Sequence, residues 1–413
     1  MKKKLLMLII LFIGATYYCQ SKVRVMSYNL HNYPNTRSEG TDIGLIETYY
    51  KKVVESINPD ILLAVEILTQ DGVNRFREKV LGTEYNAADV VIKGNGLGGN
   101  DLALFYKDSL FNFIRTIQLP TYTRDICEFS LAHRFANDTL IIYAVHLKAN
   151  TSSGDNNANI ERRAAEIDTL RKRTWRLKTN SNYVAAGDFN ILDSYEPAFT
   201  KLLDSSAPGY FYDPQQAFGV WNNNELFAYT HSYSPTKLNT RFDMILLSQA
   251  VIDEGGVDYT VNSFKVFGND GNHFDKSVLE GNNYWFEENN YDLGLALTKA
   301  SDHLPVFADL DFGVQTSHIR GYYSPSEIFR LEQNFPNPFN LTTVIFYRLP
   351  IAGKVTLKVY DLLGKEVAGL VDGMKPAGNY AVSFTGTGLA SGVYLCQLKS
   401  GSLVETKKIV LLK

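Results

Sequence analysis

The sequence predicts a layered α/β domain with mixed sheets, followed by a small all-β sandwich. Three observations carry this. From Lys22 to about Asp311, apolar strand-like runs alternate with segments of helical period. Several of these runs follow one another directly, which argues for mixed rather than purely parallel sheets. After a Pro- and Asn-rich stretch around Gln315 to Asn340, only short strands with Gly turns remain. At 413 residues the chain is too long for one ordinary core and comfortable for two.

The elements can be justified in order. "MKKKLLMLIILFIGATYYCQ" places three lysines before a short apolar run and ends in small and polar residues. That is the pattern of a secretory signal peptide over residues 1–20, so no stable membrane span is expected after its removal. Cleavage is expected near Cys19 to Ser21; a lipid-modified Cys19 is disfavoured by the bulky Tyr17 and Tyr18. "KVRVMSYNL" and "DILLAVEIL" read as buried strands. Between them Ile43, Ile46, Tyr49, Val53 and Ile57 recur at helical spacing, and "NPD" at Asn58 to Asp60 is a turn. "LALFYK", "ICEFSLAHRF", "TLIIYAVHL", "NYVAAGDF", "RFDMILLS" and "LPVFADLDF" follow as strands, with the helical "IERRAAEIDTLRKRTWRLK" among them. In the tail, "TTVIFYRLP", "KVTLKVYD", "LLGKEV", "AGNYAVSF" and "SGVYLCQL" read as strands of a sandwich. The expected division is a signal peptide at 1–20, an α/β domain at 21–313, a linker at 314–329 and a β domain at 330–413.

Composition narrows the class. With 45% apolar and 21% charged residues the chain is globular rather than disordered. Residues from Ser21 to Arg320 carry 38 Asp and Glu against 28 Lys and Arg, whereas the tail has an excess of basic residues. An acidic domain binds long polyanions only through a local basic face. Cys127 and Cys396 fall in different predicted domains, so no disulfide is expected.

Polar residues stand where the apolar strands of the front domain end. Asn29 ends "VRVMSYN", Glu66 "ILLAVE" and His146 "LIIYAVH"; Asp188 and Asn190 end "YVAAGDFN". Asp243 lies in "RFDMILL", and Asp302 and His303 open "SDHLPVF". Sites in layered α/β proteins gather at strand ends. One such residue is usually a turn, but an ordered set able to bind metal, phosphate or protons is not. Asn29, Glu66 and Asp302 offer hard oxygen donors suited to Mg2+ or Mn2+, and too few His or Cys ligands stand beside them for zinc. On an extended strand Asp188 and Asn190 would face the same side. His146 and His303 can carry protons, and Asp243 can hold one imidazole in its tautomer.

This pattern resembles the endonuclease/exonuclease/phosphatase superfamily across residues 22–312, through "SYNL", "VEI", "VHLKA", "GDFN", "RFDMILLS" and "SDHLPV". The resemblance implies a four-layer α/β sandwich, two mixed sheets face to face with helices outside. It implies a divalent cation, Mg2+ with Mn2+ or Ca2+ as alternatives, held by Glu66 with Asn29 and Asp302 in support. Asp243 and His303 would form an acid–imidazole pair and His146 would be a second catalytic histidine. Asp188 would act on the nucleophile, and Asn190 and Arg124, in "TRDICEFSL", on the substrate phosphate. The chain departs from the pancreatic-type nucleases at "GNGLGGND". Their glutamate partner for the second histidine and their stacking tyrosine are missing there, and Asn100 and Asp101 are the nearest candidates. The tail, with "FPNPFN", "LKVYDLLGKEV", "LASGVYLCQL" and "KKIVLLK", resembles the C-terminal sorting domain of type IX secretion substrates. That resemblance implies handling by the type IX machinery and a secreted or cell-surface protein exported through the periplasm.

The expected activity is a metal-dependent phosphodiesterase of nuclease type acting on nucleic acid. The alternatives are a sphingomyelinase-like or small-molecule phosphoesterase, and a surface-binding protein without catalysis. Arg162, Arg163, Arg171, Lys172, Arg173, Arg176 and Lys178 crowd one helix; a solvated face is the commoner reading, a polyanion patch the functional one. "NTSSGDNNAN" is a candidate lid. "NNYWFEENN" would either reach a membrane through Trp285 or pack under its loop, and "GNDGNHFD" would hold a second ion or be a turn.

Overall fold

The computed structural model describes residues 21–35, 42–94, 96–150, 155–178, 180–252, 256–286, 291–314, 329–331, 333–334, 337–349, 353–375, 378–401 and 403–412. The expected signal peptide, nearly all of the expected linker, and parts of "NTSSGDNNAN" and "NNYWFEENN" lie outside them.

The front region runs β1 (Ser21–Tyr33), α1 (Ile43–Ile57), β2 (Ile61–Ile67), α2 (Gln70–Phe76), β3 (Tyr85–Ala87), β4 (Leu102–Lys107), β5 (Phe111–Leu119), β6 (Ile126–His133) and β7 (Thr139–His146). It continues with α3 (Asn156–Thr174), β8 (Asn182–Asp188), α4 (Pro197–Leu203), β9 (Phe211–Tyr212), β10 (Asp243–Ser248), α5 (Gln249–Ile252), β11 (Gly256–Tyr259), β12 (Lys265–Val266), α6 (Tyr291–Ala300) and β13 (Val306–Val314). These strands form two mixed sheets. One is ordered β11-β13-β1-β2-β4-β3, with β12 paired to β13; the other is β5-β6-β7-β8-β10-β9.

Side-chain alternation explains the layers. Leu140, Ile142 and Ala144 of β7, Val184 and Ala186 of β8, and Ile245 and Leu247 of β10 share one core with Val25, Leu63, Leu104 and Leu310 of the first sheet. Their neighbours Tyr143, Val145, Ala185, Met244 and Leu246 point the other way, against Ile167 and Leu170 of α3 and Phe199 and Leu202 of α4. Val53 and Ile57 of α1 and Ala296 and Leu297 of α6 cover the far face of the first sheet. The result is the expected four-layer α/β sandwich. α1 begins where the Asp42 side chain accepts from Gly44 N and ends at Asn58, whose φ of 50° is left-handed, so the "NPD" turn is also its C-cap.

The tail strands are β14 (Arg330–Leu331), β15 (Thr342–Leu349), β16 (Gly353–Tyr360), β17 (Glu366–Lys375), β18 (Gly378–Thr385), β19 (Gly392–Ser400) and β20 (Leu403–Leu411). They form sheets β14-β15-β18 and β17-β16-β19-β20 around a core of their own that includes Ile345, Val355, Leu357, Leu398 and Ile409. "LLGKEV" is not a separate strand. Asp361 Oδ1 accepts from Leu363 N and Lys365 N, which turns the chain before β17 begins. Cys127 and Cys396 are buried free thiols, and burial raises both above the usual thiol range. Among the described residues no helix is long and apolar enough to cross a membrane.

The basic run is a solvated face only in part: Arg162 is exposed, but others are drawn inward. Arg163 is fully buried and donates to Glu196 Oε2 at 3.0 and 2.8 Å. Arg173 reaches Glu128 Oε1 at 2.7 Å, and Arg171 donates to Asp204 O at 2.8 Å. Lys172, Arg176 and Lys178 remain exposed. The amphipathic period hid this because long cationic side chains can be drawn inward when a carboxylate meets them.

Candidate active site

Register brings the polar strand ends together. β7 and β8 are parallel with His146 opposite Asp188, and β10 is antiparallel with Asp243 opposite Asp188. Asp188 is therefore flanked on both sides at one level of the second sheet. From the first sheet, Asn29 of β1 lies opposite Val65, so it stands beside Glu66 at the end of β2. Gly187 makes the close approach possible: its φ is 140°, and a Cβ there would lie 1.9 Å from Val145 O. Glu66 holds a left-handed φ of 60°, a strained conformation for a non-glycine residue and a frequent mark of functional sites.

Two carboxylate–imidazole pairs face Asp188. Asp243 Oδ2 lies 2.8 Å from His303 Nδ1 and also accepts from Ser232 Oγ at 2.7 Å. Asp101 Oδ2 lies 2.8 Å from His146 Nδ1. The other ring nitrogens, Nε2 of His303 and of His146, come to 3.8 and 3.9 Å from Asp188 Oδ2. His146 Nε2 is also 3.8 Å from Glu66 Oε1. All of these residues except Glu66 are buried. Burial works against a charged His303, yet contact with Asp243 and the nearby Asp188 and Asp302 raises it to about 10. His146 is likewise opposed by burial and raised by Asp101. Burial raises Asp188, and the two imidazoles only partly offset this.

Glu66, His146 and Asp188 place ligand atoms within 4.8 Å of one another. Two carboxylates and one imidazole around one point fit a divalent cation with a preference for oxygen donors. Asn29 joins this group differently from the sequence expectation. Its Nδ2 donates to Glu66 Oε1 at 3.1 Å and to Asp188 Oδ2 at 3.3 Å, while its Oδ1 accepts from His31 N at 2.9 Å. It braces the carboxylates rather than offering its oxygen. Asp302 is outside the cluster, and its carboxylate is paired with His31 Nδ1.

Arg124 and Asn190 meet on one carbonyl. Arg124 Nη1 and Asn190 Nδ2 each donate to Leu147 O at 3.2 Å, and Arg124 Nε lies 3.5 Å from Asp101 Oδ2. The i, i+2 argument stops at Asp188, because the chain leaves extended geometry there. Asn190 has φ 51°, and its N–H donates back to Asp188 Oδ1 at 3.0 Å, an Asx-type turn.

Asp101, His31 and Ser232 were not singled out as site residues. Asp101 ends a Gly- and Asn-rich loop with no period of its own, and only the departure from the nuclease pattern at that position hinted at a partner for His146. Trp285 donates to Asn269 O at 2.9 Å and packs edge-on against Phe267, under its loop. In "GNDGNHFD", Asp270 Oδ1 accepts from Asn272 N and contacts His273 Nδ1, which makes the stretch a closed polar turn.

No curated protein matches the sequence. Similar solved structures include a humanised D. rerio TDP2 with 14 mutations, at 14% identity over 70% of this chain and 98% of that one, TM-score 0.44. The human Nocturnin catalytic domain is 15% identical over 70% and 94%, TM-score 0.44, and a Staphylococcus aureus beta toxin 12% identical over 69% and 99%, TM-score 0.40. Residues 333–412 match the family model "Secretion system C-terminal sorting domain", the type IX kind, so the protein is secreted or displayed at the cell surface. Residues 26–303, more than half of the chain, match the family model "Endonuclease/Exonuclease/phosphatase family", and the chain belongs to that family of phosphoesterase-type hydrolases.

Proposed function

We propose that this protein is a divalent-cation-dependent phosphodiesterase that hydrolyses nucleic acid outside the cell. The carrying observation is the pair of buried Asp–His couples, Asp243–His303 and Asp101–His146, whose Nε2 atoms flank Asp188 beside Glu66. Glu66 and Asp188 would hold the cation, with Mg2+ first and Mn2+ or Ca2+ as alternatives, and Asn29 and Asp302 supporting from outside. When bound, the cation neutralises charge that develops on the phosphoryl oxygens.

The chain's own residues then divide the work. Arg124 and the second amide hydrogen of Asn190 bind a non-bridging oxygen of the substrate phosphate. Asp188 orients the attacking water and receives its proton as the new P–O bond forms. His303, kept protonated by Asp243, donates to the phosphoryl group, and His146, kept in one tautomer by Asp101, stands beside the leaving oxygen. As the P–O bond to that oxygen breaks, an imidazolium supplies its proton. We also propose the division of the chain into a signal peptide at 1–20, a catalytic domain at 21–313, a linker at 314–329 and a sorting domain at 330–413 handled by the type IX machinery.

The test is side-by-side hydrolysis of DNA, RNA, sphingomyelin liposomes and a phosphomonoester by the purified protein, with Mg2+, Mn2+ or EDTA. Cation-dependent cleavage of a nucleic acid is the expected result. Hydrolysis confined to liposomes or to the monoester would replace nucleic acid as the substrate, and no hydrolysis at all would leave a surface-binding protein.

A further inference from the structure

Two loops beside the Asp101–His146 couple are zipped together. Gly98 N donates to Thr123 O and Asp125 N to Gly99 O, each at 2.8 Å, and Gly99 bridges Arg124. Gly99 is required for this packing, since a Cβ there would lie 2.2 Å from Gly94 O. The second loop is also braced internally: Thr121 Oγ1 donates to Arg124 O at 2.6 Å, and Thr121 N to Asp125 Oδ1 at 3.3 Å. Tyr122 is thus the crest of a stiffened turn, yet it is 64% exposed.

Cations collect around this ring. The guanidinium of Arg162, on α3, lies 5.4 Å from the Tyr122 ring centroid. Arg162 is itself steadied by Asn159 Oδ1 at 3.2 Å. Arg124, two residues after Tyr122, reaches the catalytic couple through Asp101. Lys148 follows the Leu147 carbonyl that holds Arg124, and its N–H is fixed by Glu166 Oε2 at 3.1 Å. Arg162 is exposed and Lys148 half-buried, so both border the open face of the ring.

We propose that Tyr122 and Arg162 form a stacking subsite for an unpaired base next to the scissile phosphate, with Lys148 facing that nucleotide's backbone. The inference rests on the nucleic-acid reading above and sharpens it to single strands. An exposed aromatic face with neighbouring cations is how single strands are gripped without regard to sequence. A duplex hides its base faces, and its affinity depends on many phosphate contacts. Two cations of the basic run are not free for such contacts: Arg163 and Arg173 are committed to internal carboxylates.

The experiment compares wild type, Tyr122→Ala and Tyr122→Phe on oligothymidylate and on an abasic chain of equal length. Steady-state cleavage is measured with Mg2+, and binding by fluorescence anisotropy in EDTA. Wild type should bind and cleave oligothymidylate better than the abasic chain. Tyr122→Ala should raise KM for oligothymidylate about tenfold with kcat within about twofold, leave the abasic chain unchanged, and Tyr122→Phe should behave as wild type. Equal kinetics and binding of Tyr122→Ala and wild type on oligothymidylate would overturn the subsite. So would an equal loss on both chains, or a loss seen only on sphingomyelin liposomes. Base-dependent binding that vanishes in Tyr122→Ala, without cleavage by wild type, would uphold the subsite and sink the hydrolytic reading alone. Absence of both binding and cleavage in wild type would overturn both.

Discussion

Asp188 owes its chemistry to what surrounds it. Burial alone would make it a poor base at neutral pH, and the imidazoles of His303 and His146 partly restore its charge. Glu66 contributes the less buried carboxylate of the cluster. Glu66→Gln keeps the size and removes the charge that a hard cation needs, so activity at limiting Mg2+ should nearly vanish while the melting temperature holds. Undiminished turnover in that variant would remove Glu66 from the site. His146→Ala and His303→Ala should each slow turnover by roughly two orders of magnitude or more, as expected for groups that assist proton transfer. Asp101→Asn should resemble His146→Ala, because an amide can no longer stabilise the imidazolium. Rates across the pH range decide this: a wild-type profile in Asp101→Asn would reduce that residue to a structural one.

At the scale of elements, α3 and the loop before β10 are held by buried polar contacts. Arg163 is sealed against Glu196, with its Nη1 also donating to Lys148 O at 2.8 Å. Arg163→Ala leaves Glu196 buried without its cation, so urea denaturation should show a loss of about 3–5 kcal/mol. Arg176→Ala, on the exposed part of the same basic run, should stay within about 0.5 kcal/mol. Similar values for the two would show that the basic run is a uniform surface. Two buried histidines, His231 in the loop before β10 and His133 at the end of β6, tie stability to pH. His231 is fully buried, its Nε2 2.8 Å from Trp221 O, and burial pushes it down to about 4. His133 is lowered by burial too, and its Nδ1 accepts from Ala136 N at 2.9 Å, a bond that protonation would break. Between about 4 and the ordinary histidine value near 6.5 the unfolded chain binds more protons than the folded one. This stabilisation is therefore complete above about 6.5 and is lost as pH falls through about 4. The melting temperature should drop over that window, and less steeply in His231→Gln than in wild type.

Among the described residues there are three cores: one between the facing sheets of the front region, one between its second sheet and α3 and α4, and one within the tail strands, whose Phe346 packs against the second. A segment with its own core can be removed without opening another. Deleting residues 330–413 should leave hydrolysis intact in the purified protein and abolish its appearance in the medium or on the cell surface. Loss of activity in a truncation with an unchanged circular dichroism spectrum would mean that the tail contributes to the site. Net charge acts at this scale as well. With an excess of acid from Ser21 to Arg320, affinity for a long polyanion should be modest and should fall steeply as salt rises.

The places where polar residues interrupt buried strands are legible locally, since an apolar run that stops at Asn29, Glu66, His146 or Asp188 is a pattern of period and burial. The layer class is legible in the sequence too, because alternating strand and helix periods admit few packings. How those ends are shared depends on contacts between residues distant in sequence. That Asp101 pairs with His146 depends on the loop before β4 reaching the end of β7 in the other sheet, and no local signal encodes that distance. That Asn29 turns its amide nitrogen to the carboxylates, and that Asp302 meets His31, depends on which neighbour satisfies each donor first. The arginines of α3 make the same point. Their spacing reads as a solvated face, yet Glu196 and Glu128 draw Arg163 and Arg173 inward, because a buried carboxylate far away in sequence needs a cation more than water does.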